Sequence, residues 1–336
     1  MAYTTIKKPS DYFNTKLYTG TGASNSITGV GFQPDWVWMK NRSVSGSHQL
    51  LDIVRGASKT IYSNRDIAEE TLGDGLTSFD SDGFTISSSP EINGSGNNIV
   101  SWNWLASNTT ASNTDGDITS TVSANTTSGF SIVKWTGTGS SGTIGHGLGV
   151  APKVVIVKRY SSAADWVYYT TTIDGSMDYL YLNLTNAKVD SGNPVPTSSV
   201  FQKNDTNGET QIAYCFAEKQ GFSKFGSYIG NGTSGVDGAG DGTFVYTGFK
   251  PGMIIIKPSS AVENWQILDN KRPGFNESDN LAPNNNATEN TSNDFVDLVS
   301  NGFKLRSGTY SASGVTYIYM AFAEEPLVGD NPATAR

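Results

Sequence analysis

The chain has 336 residues and a formal net charge of -8, and its 23 lysines and arginines are scattered, never more than two together, so it offers no positive face to a phosphate backbone and nucleic acid is set aside as a partner. A single cysteine, Cys215, excludes an intrachain disulfide and a thiolate-rich zinc site. No run of about 18 apolar residues occurs, and no apolar stretch follows Lys7 and Lys8, so neither a signal peptide nor a membrane span is expected.

Charged residues amount to 16% and aromatics to 11%, against a background rich in Gly, Ser, Thr and Asn, a balance that favours strands joined by tight turns. Asn-x-Ser/Thr triplets at Asn108, Asn125, Asn231 and Asn286 read as turn composition.

In chain order, residues 1–14 read as an attachment arm and 15–107 as the first of three diverged copies of a unit of roughly a hundred residues. The unit opens on an aromatic-x-Gly-x-Gly motif, Tyr18 to Gly22, and continues to a proline-led apolar run, Pro34-Asp-Trp-Val-Trp-Met-Lys40. It passes Gly83-Phe84 and closes on Val100-Ser-Trp102-Asn-Trp104-Leu-Ala106. Residues 108–128, almost wholly Ser, Thr, Asn, Asp and Gly, read as a linker. The second copy, 129–220, carries Trp135 to Gly139, Pro152 to Lys158, Val200-Phe201 and Ile212 to Glu218. The third, 221–326, carries Tyr228 to Gly232, Pro251 to Lys257, Gly302-Phe303 and Ile318 to Glu324, before a tail at 327–336.

The proline-led runs are too short for helices and too apolar for a half-exposed strand, so they are predicted as strands covered on both faces, with the lysine ending the burial. Pro is tolerated at a strand's first position. The closing strands place large residues at every second position, and Trp104, Phe216 and Phe322 are expected to anchor three separate cores. Copies two and three meet without a linker, which predicts a tightly docked pair and a more loosely tethered first copy. The resulting fold class is all-β, three tandem β-sandwich modules of jelly-roll or lectin-like type.

Candidate chemistry is sparse. The two histidines, His48 and His146, stand near no nucleophile motif, and His146 lies in a Gly-His-Gly turn. The Asp-Gly clusters at 72–75, 80–83, 114–117 and 237–242 lack the full calcium-loop pattern and read as turns. Glu69-Glu70 and Glu324-Glu325 are adjacent and would point to opposite faces of a strand. No metal, cofactor or catalytic residue is assigned.

After each proline-led run, His48, Trp166 and Trp265 occupy equivalent places, followed by Asp52 and Arg55 in the first copy and Asp269 and Arg272 in the third. Thr170 stands in place of the Asp in the second copy. Each Asp and Arg can pair and pin the next turn. The functional alternative is a shallow polar-aromatic cleft for a sugar or peptide, built from His48, Asp52, Arg55, Trp265, Asp269 and Arg272.

Several strings, Gly31-Phe-Gln-Pro-Asp-Trp-Val-Trp-Met-Lys-Asn-Arg42, Gly221-Phe-Ser-Lys-Phe-Gly-Ser-Tyr228, Tyr317-Ile-Tyr-Met-Ala-Phe-Ala-Glu324 and Pro332-Ala-Thr-Ala-Arg336, resemble repeat modules of virion structural proteins from marine tailed phages, often labelled tail-fibre-like. The resemblance covers essentially the whole chain. It implies a non-enzymatic particle component located in the virion, with other virion proteins as partners and a host-surface glycan as a possible adhesion target. A freestanding carbohydrate-binding protein is the second reading, and a glycan depolymerase the third. Strand edges need covering, so a homo-oligomer joined through module edges and the first fourteen residues is expected.

Overall fold

In a computed structural model of the chain, residues 4–233, 239–272, 279–292, 294–330 and 332–334 are described. The protein is nearly all β, 44% strand and 3% helix, in several antiparallel sheets. The first third supplies a six-stranded and a three-stranded sheet, the middle third an eight-stranded and a two-stranded one, and the last third a four-stranded and a three-stranded one.

The proline-led runs become the strands Trp36–Asn41, Val154–Arg159 and Phe249–Pro258. Each pairs with the closing strand of its own third, Asn98–Trp104, Thr210–Phe216 or Thr316–Pro326, whose other edge takes the opening strand, Phe13–Thr19, Phe130–Thr136 or Ser223–Ile229. The register is the same each time. The residue two after the proline faces the closing aromatic: Trp36 opposite Trp104, Val154 opposite Phe216, Met253 opposite Phe322. In the small sheets Phe84, Phe201 and Phe303 likewise sit opposite Ile27, Ile144 and Val245.

Alternation along these strands feeds two cores. Val37 and Met39 point to a peripheral core shared with the small sheet of the first third, and the other thirds have peripheral cores of the same kind. Trp36 and Trp38 point the other way, into a central core that collects side chains from all three large sheets. Trp104, Phe216 and Phe322 therefore meet instead of anchoring separate cores: the Phe322 ring lies 5.5 Å from Trp104 and 5.7 Å from Phe216, and Trp36 stacks on Tyr214 at 4.2 Å.

The large sheets contact one another in a closed cycle, stitched by paired backbone hydrogen bonds at matching positions. Glu69 N donates to Tyr160 O and Ala164 N to Asp66 O between the first and middle thirds. Lys188 N donates to Ser259 O and Glu263 N to Thr185 O between middle and last, and Glu289 N to Arg42 O and Gly46 N to Asn286 O close the cycle. The first third is thus held by the same contacts as the others, contrary to the expected loose tether.

Two further expectations change. Residues 108–128 carry the strands Ala111–Asn113 and Ser120–Asn125, which extend the middle sheet by backbone pairing that needs little apolar burial. Of the expected arm, Ile6 is buried in the central core and Phe13 begins the first opening strand.

The lysines do not end the burial either. Lys40, Lys158 and Lys257 are fully buried, and each ammonium is held by carbonyl oxygens: Lys40 by Asn41, Lys158 by Asp66 and Ala164, Lys257 by Thr185, Pro258 and Ala261. Burial pushes each from its usual 10.5 to about 8, opposed by nearby carboxylates such as Glu91, Asp66 and Glu263 respectively.

The aromatic-x-Gly-x-Gly motif is explained by backbone approach. A side chain at Gly20, Gly137 or Gly230 would collide with the carbonyl of Gly94, Thr206 or Ala312, in the loop that precedes the closing strand. The second glycine, Gly22, Gly139 or Gly232, has φ of +72°, +84° or +77°, the left-handed region glycine enters freely.

Candidate functional site

Asp52 and Asp269 occupy one position in two copies of the same strand pair, opposite Trp36 and Met253. Each carboxylate caps the following turn: Asp52 Oδ1 accepts from the amides of Val54 and Arg55, and Asp269 Oδ1 from those of Lys271 and Arg272. The arginine then folds back. Arg55 Nε lies 2.6 Å from Asp52 Oδ2 and Arg272 Nε 2.7 Å from Asp269 Oδ2. Their remaining nitrogens bond Leu50 O and Glu69 in one case, Ile267 O and Glu289 in the other. For Arg55, burial opposes the charge, but Asp52, Tyr214 and Glu69 outweigh it and hold the guanidinium firmly protonated.

These pairs face neighbouring sheets. Tyr214 of the middle third donates to Asp52 Oδ2 at 2.8 Å, and Trp102 of the first third donates to Asp269 Oδ2 at 2.9 Å, with the Arg272 guanidinium 5.6 Å from the Trp102 ring centre. Where Thr170 replaces the Asp, the arginine position holds Ile173, packed against the central core. Met320 there replaces Trp102 and Tyr214 in the closing strand, opposite Ile255 as they stand opposite Trp38 and Ile156. Donor, carboxylate and arginine are present together or absent together. Glu69 and Glu289 follow the same rule, since Lys188 fills their place and turns to Asp174 and Asp178.

The position of His48, Trp166 and Trp265 runs round the same cycle. Trp166 Nε1 donates to Tyr62 O and Trp265 Nε1 to Tyr181 O, each on the preceding third. His48 accepts from Trp38 Nε1 at 3.0 Å through Nδ1, so its proton sits on Nε2. Burial, then Lys40, holds His48 well below its usual 6.5, opposed by the Ala282 carbonyl of the last third.

The structure therefore brings His48, Asp52, Arg55, Trp265, Asp269 and Arg272 to junctions between large sheets and not to a surface cleft. All six side chains are buried, and a sugar or peptide cannot reach them. Their burial follows from the cycle, which single copies read one at a time do not reveal. Tyr214, Trp102, Glu69 and Glu289 were missed as their partners. Aligning the copies does not find them, because within one copy Trp102, Tyr214 and Met320 go with Asp52, Thr170 and Asp269, and donor matches carboxylate only across the junctions.

Among the described residues no group of three or more His, Cys, Asp or Glu is placed to hold a metal ion, and no helix is long and apolar enough to cross a membrane. No curated protein matches the chain. The model of the family described as a domain of unknown function, DUF7483, matches residues 8–326, an unbroken span across all six sheets, and the chain belongs to that family.

Proposed function

We propose that this chain is a non-enzymatic structural protein of a virus particle, tail-fibre-like or capsid-decorating, built as three tandem β-sandwich modules closed into a pseudo-threefold block. The observation that carries this reading is the use of its buried ionic and aromatic side chains. Asp52, Arg55, Asp269, Arg272, Trp102 and Tyr214 join the large sheets. Such a block resists local opening because each junction is supported by the other two. The matching strand registers and the three peripheral cores support the tandem-module reading. The sequence resemblance to virion repeat modules supports the location, with other virion proteins as partners.

Homo-oligomerisation belongs to the same reading, through free edges of the outer strands. Mass spectrometry of purified particles of the virus that encodes the chain is the test. A fixed stoichiometry against the major capsid protein is expected, and absence from washed particles overturns the proposal.

A further inference from the structure

The small sheet of the middle third has two strands, Ser141–Gly145 and Val200–Asn204. The first and last thirds each add a third, Leu76–Asp80 or Val296–Val299, beside the strand that carries Phe84 or Phe303. Among the described residues of the middle third no third strand pairs there, nor is there a counterpart of the short helices Pro90–Asn93 and Gly308–Tyr310, whose Glu91 and Tyr310 bond Asn41, Gln49 and Gln266. A cavity of about 420 Å³, within the range of roughly 300–1,000 Å³ typical of small-ligand sites, is lined by the matching residues Arg159 and Val167. Its floor is Val157, Val167 and Tyr181, neighbours across three paired strands, and the Tyr179 ring 5.5 Å from Tyr181 extends the aromatic surface.

The walls carry both signs of charge, Arg159 and Lys203 with Asp165 and Asp205. Two of their atoms are buried without a hydrogen bond, Arg159 Nε and Asp205 Oδ1. Asp205 is only 7% exposed; its Oδ2 accepts from the Trp135 indole, and Oδ1 has Lys203 Nζ at 3.5 Å. Arg159 spends its other nitrogens on Thr206 Oγ1 and Ala163 O. Arg159 Nε is a buried donor with no hydrogen bond and Asp205 Oδ1 a buried acceptor with only the Lys203 ammonium at 3.5 Å, so the wall suits a group that both donates and accepts. The positions matching Arg159 hold Asn41 and Pro258, so the other thirds lack this wall.

We propose that this cavity binds one saccharide unit, whose hydroxyls complete Arg159 and Asp205 while the C–H face of its ring lies on Tyr181. A simple anion would meet Asp165 and Asp205, and a simple cation Arg159 and Lys203; a polyhydroxylated neutral ring satisfies both. The proposal does not rest on the particle assignment, because sugar binding by the isolated protein and copy number in particles fail separately.

The test is ligand-observed saturation-transfer NMR on the full chain with glucose, galactose, mannose and N-acetylglucosamine at millimolar concentration. At least one sugar is expected to bind, weakened roughly tenfold by Tyr181→Ala and by Arg159→Gln, and unchanged by Tyr246→Ala on the last third. Lys203→Ala, at the cavity rim, replaces either variant whose melting temperature falls. Absence of binding by all four sugars overturns the proposal, and so does binding that survives the cavity variants or is lost in Tyr246→Ala.

Discussion

Trp102 donates its indole N–H to Asp269 at 2.9 Å although 167 residues separate them, and this one bond shows how the junctions are specified. Asp269 is already paired with Arg272, so the indole completes a buried carboxylate. Trp102→Phe keeps most of the apolar volume and removes the donor, and a loss of about 1–3 kcal/mol is expected. Arg272→Ile alone strands the carboxylate and should cost about 3–5 kcal/mol. The triple change Trp102→Met, Asp269→Thr, Arg272→Ile copies the junction built on Met320, Thr170 and Ile173, and should cost far less than the sum of its parts. Urea denaturation of the set measures this; additive losses would contradict it.

The shared central core makes a second prediction. Because Trp104 and Phe216 both touch Phe322, calorimetry should record one unfolding transition and not three. Trp104→Ala should lower that whole transition by about 3–5 kcal/mol. An early partial transition confined to the first third would show that the cores are independent.

The amino-terminal segment behaves as part of the fold. Ile6 is 2% exposed in the central core, and Thr4 contributes its hydroxyl to the Ile6 amide. Ile6→Ala should cost about 2–5 kcal/mol, the usual range for truncating a buried aliphatic side chain. A loss below about 1 kcal/mol, read from chemical denaturation, would return the segment to the role of a detachable arm.

The all-β class and the matching strand registers were legible because they rest on local pattern. Pro34, Pro152 and Pro251 mark the same strand start, and Phe84, Phe201 and Phe303 the same small-sheet position. What was not legible depends on how the thirds meet. Periodicity shows that Trp38 and Val37 face opposite ways, but not that Trp38 faces another sheet instead of water. Lys40 reads as a surface residue for the same reason, since its carbonyl cage appears only on folding. Residues 108–128 read as a linker because their composition is polar, whereas Ser120–Asn125 is ordered by pairing with Phe130–Thr136.

The buried lysines give the last prediction, a dependence on pH with an unusual sign. Lys40, Lys158 and Lys257 ionise near 10.5 in the unfolded chain, whereas burial brings them to about 8 in the fold. Below about pH 8 all three are charged in both states and the full cost of burying the ammonium is present. Between about 8 and 10.5 the unfolded chain binds more protons than the folded one, so stability rises with pH, by at most about 1.4 kcal/mol per pH unit for each lysine. Carbonyl contacts such as Lys257 to Pro258 favour the charged form and reduce the slope. Measurements at pH 7.5, 8.5 and 9.5 stay below roughly pH 10, where tyrosines of the unfolded chain begin to ionise. Those tyrosines, and the Cys215 thiol whose ionisation burial opposes in the fold and which offsets part of the climb from about pH 9, act in the opposite sense. The urea midpoint should climb through this series. Lys158→Met should remove part of the climb while filling the same space. A midpoint that stays level or falls would mean that the carbonyl cages keep the three ammonium groups charged to the pH at which free lysine titrates.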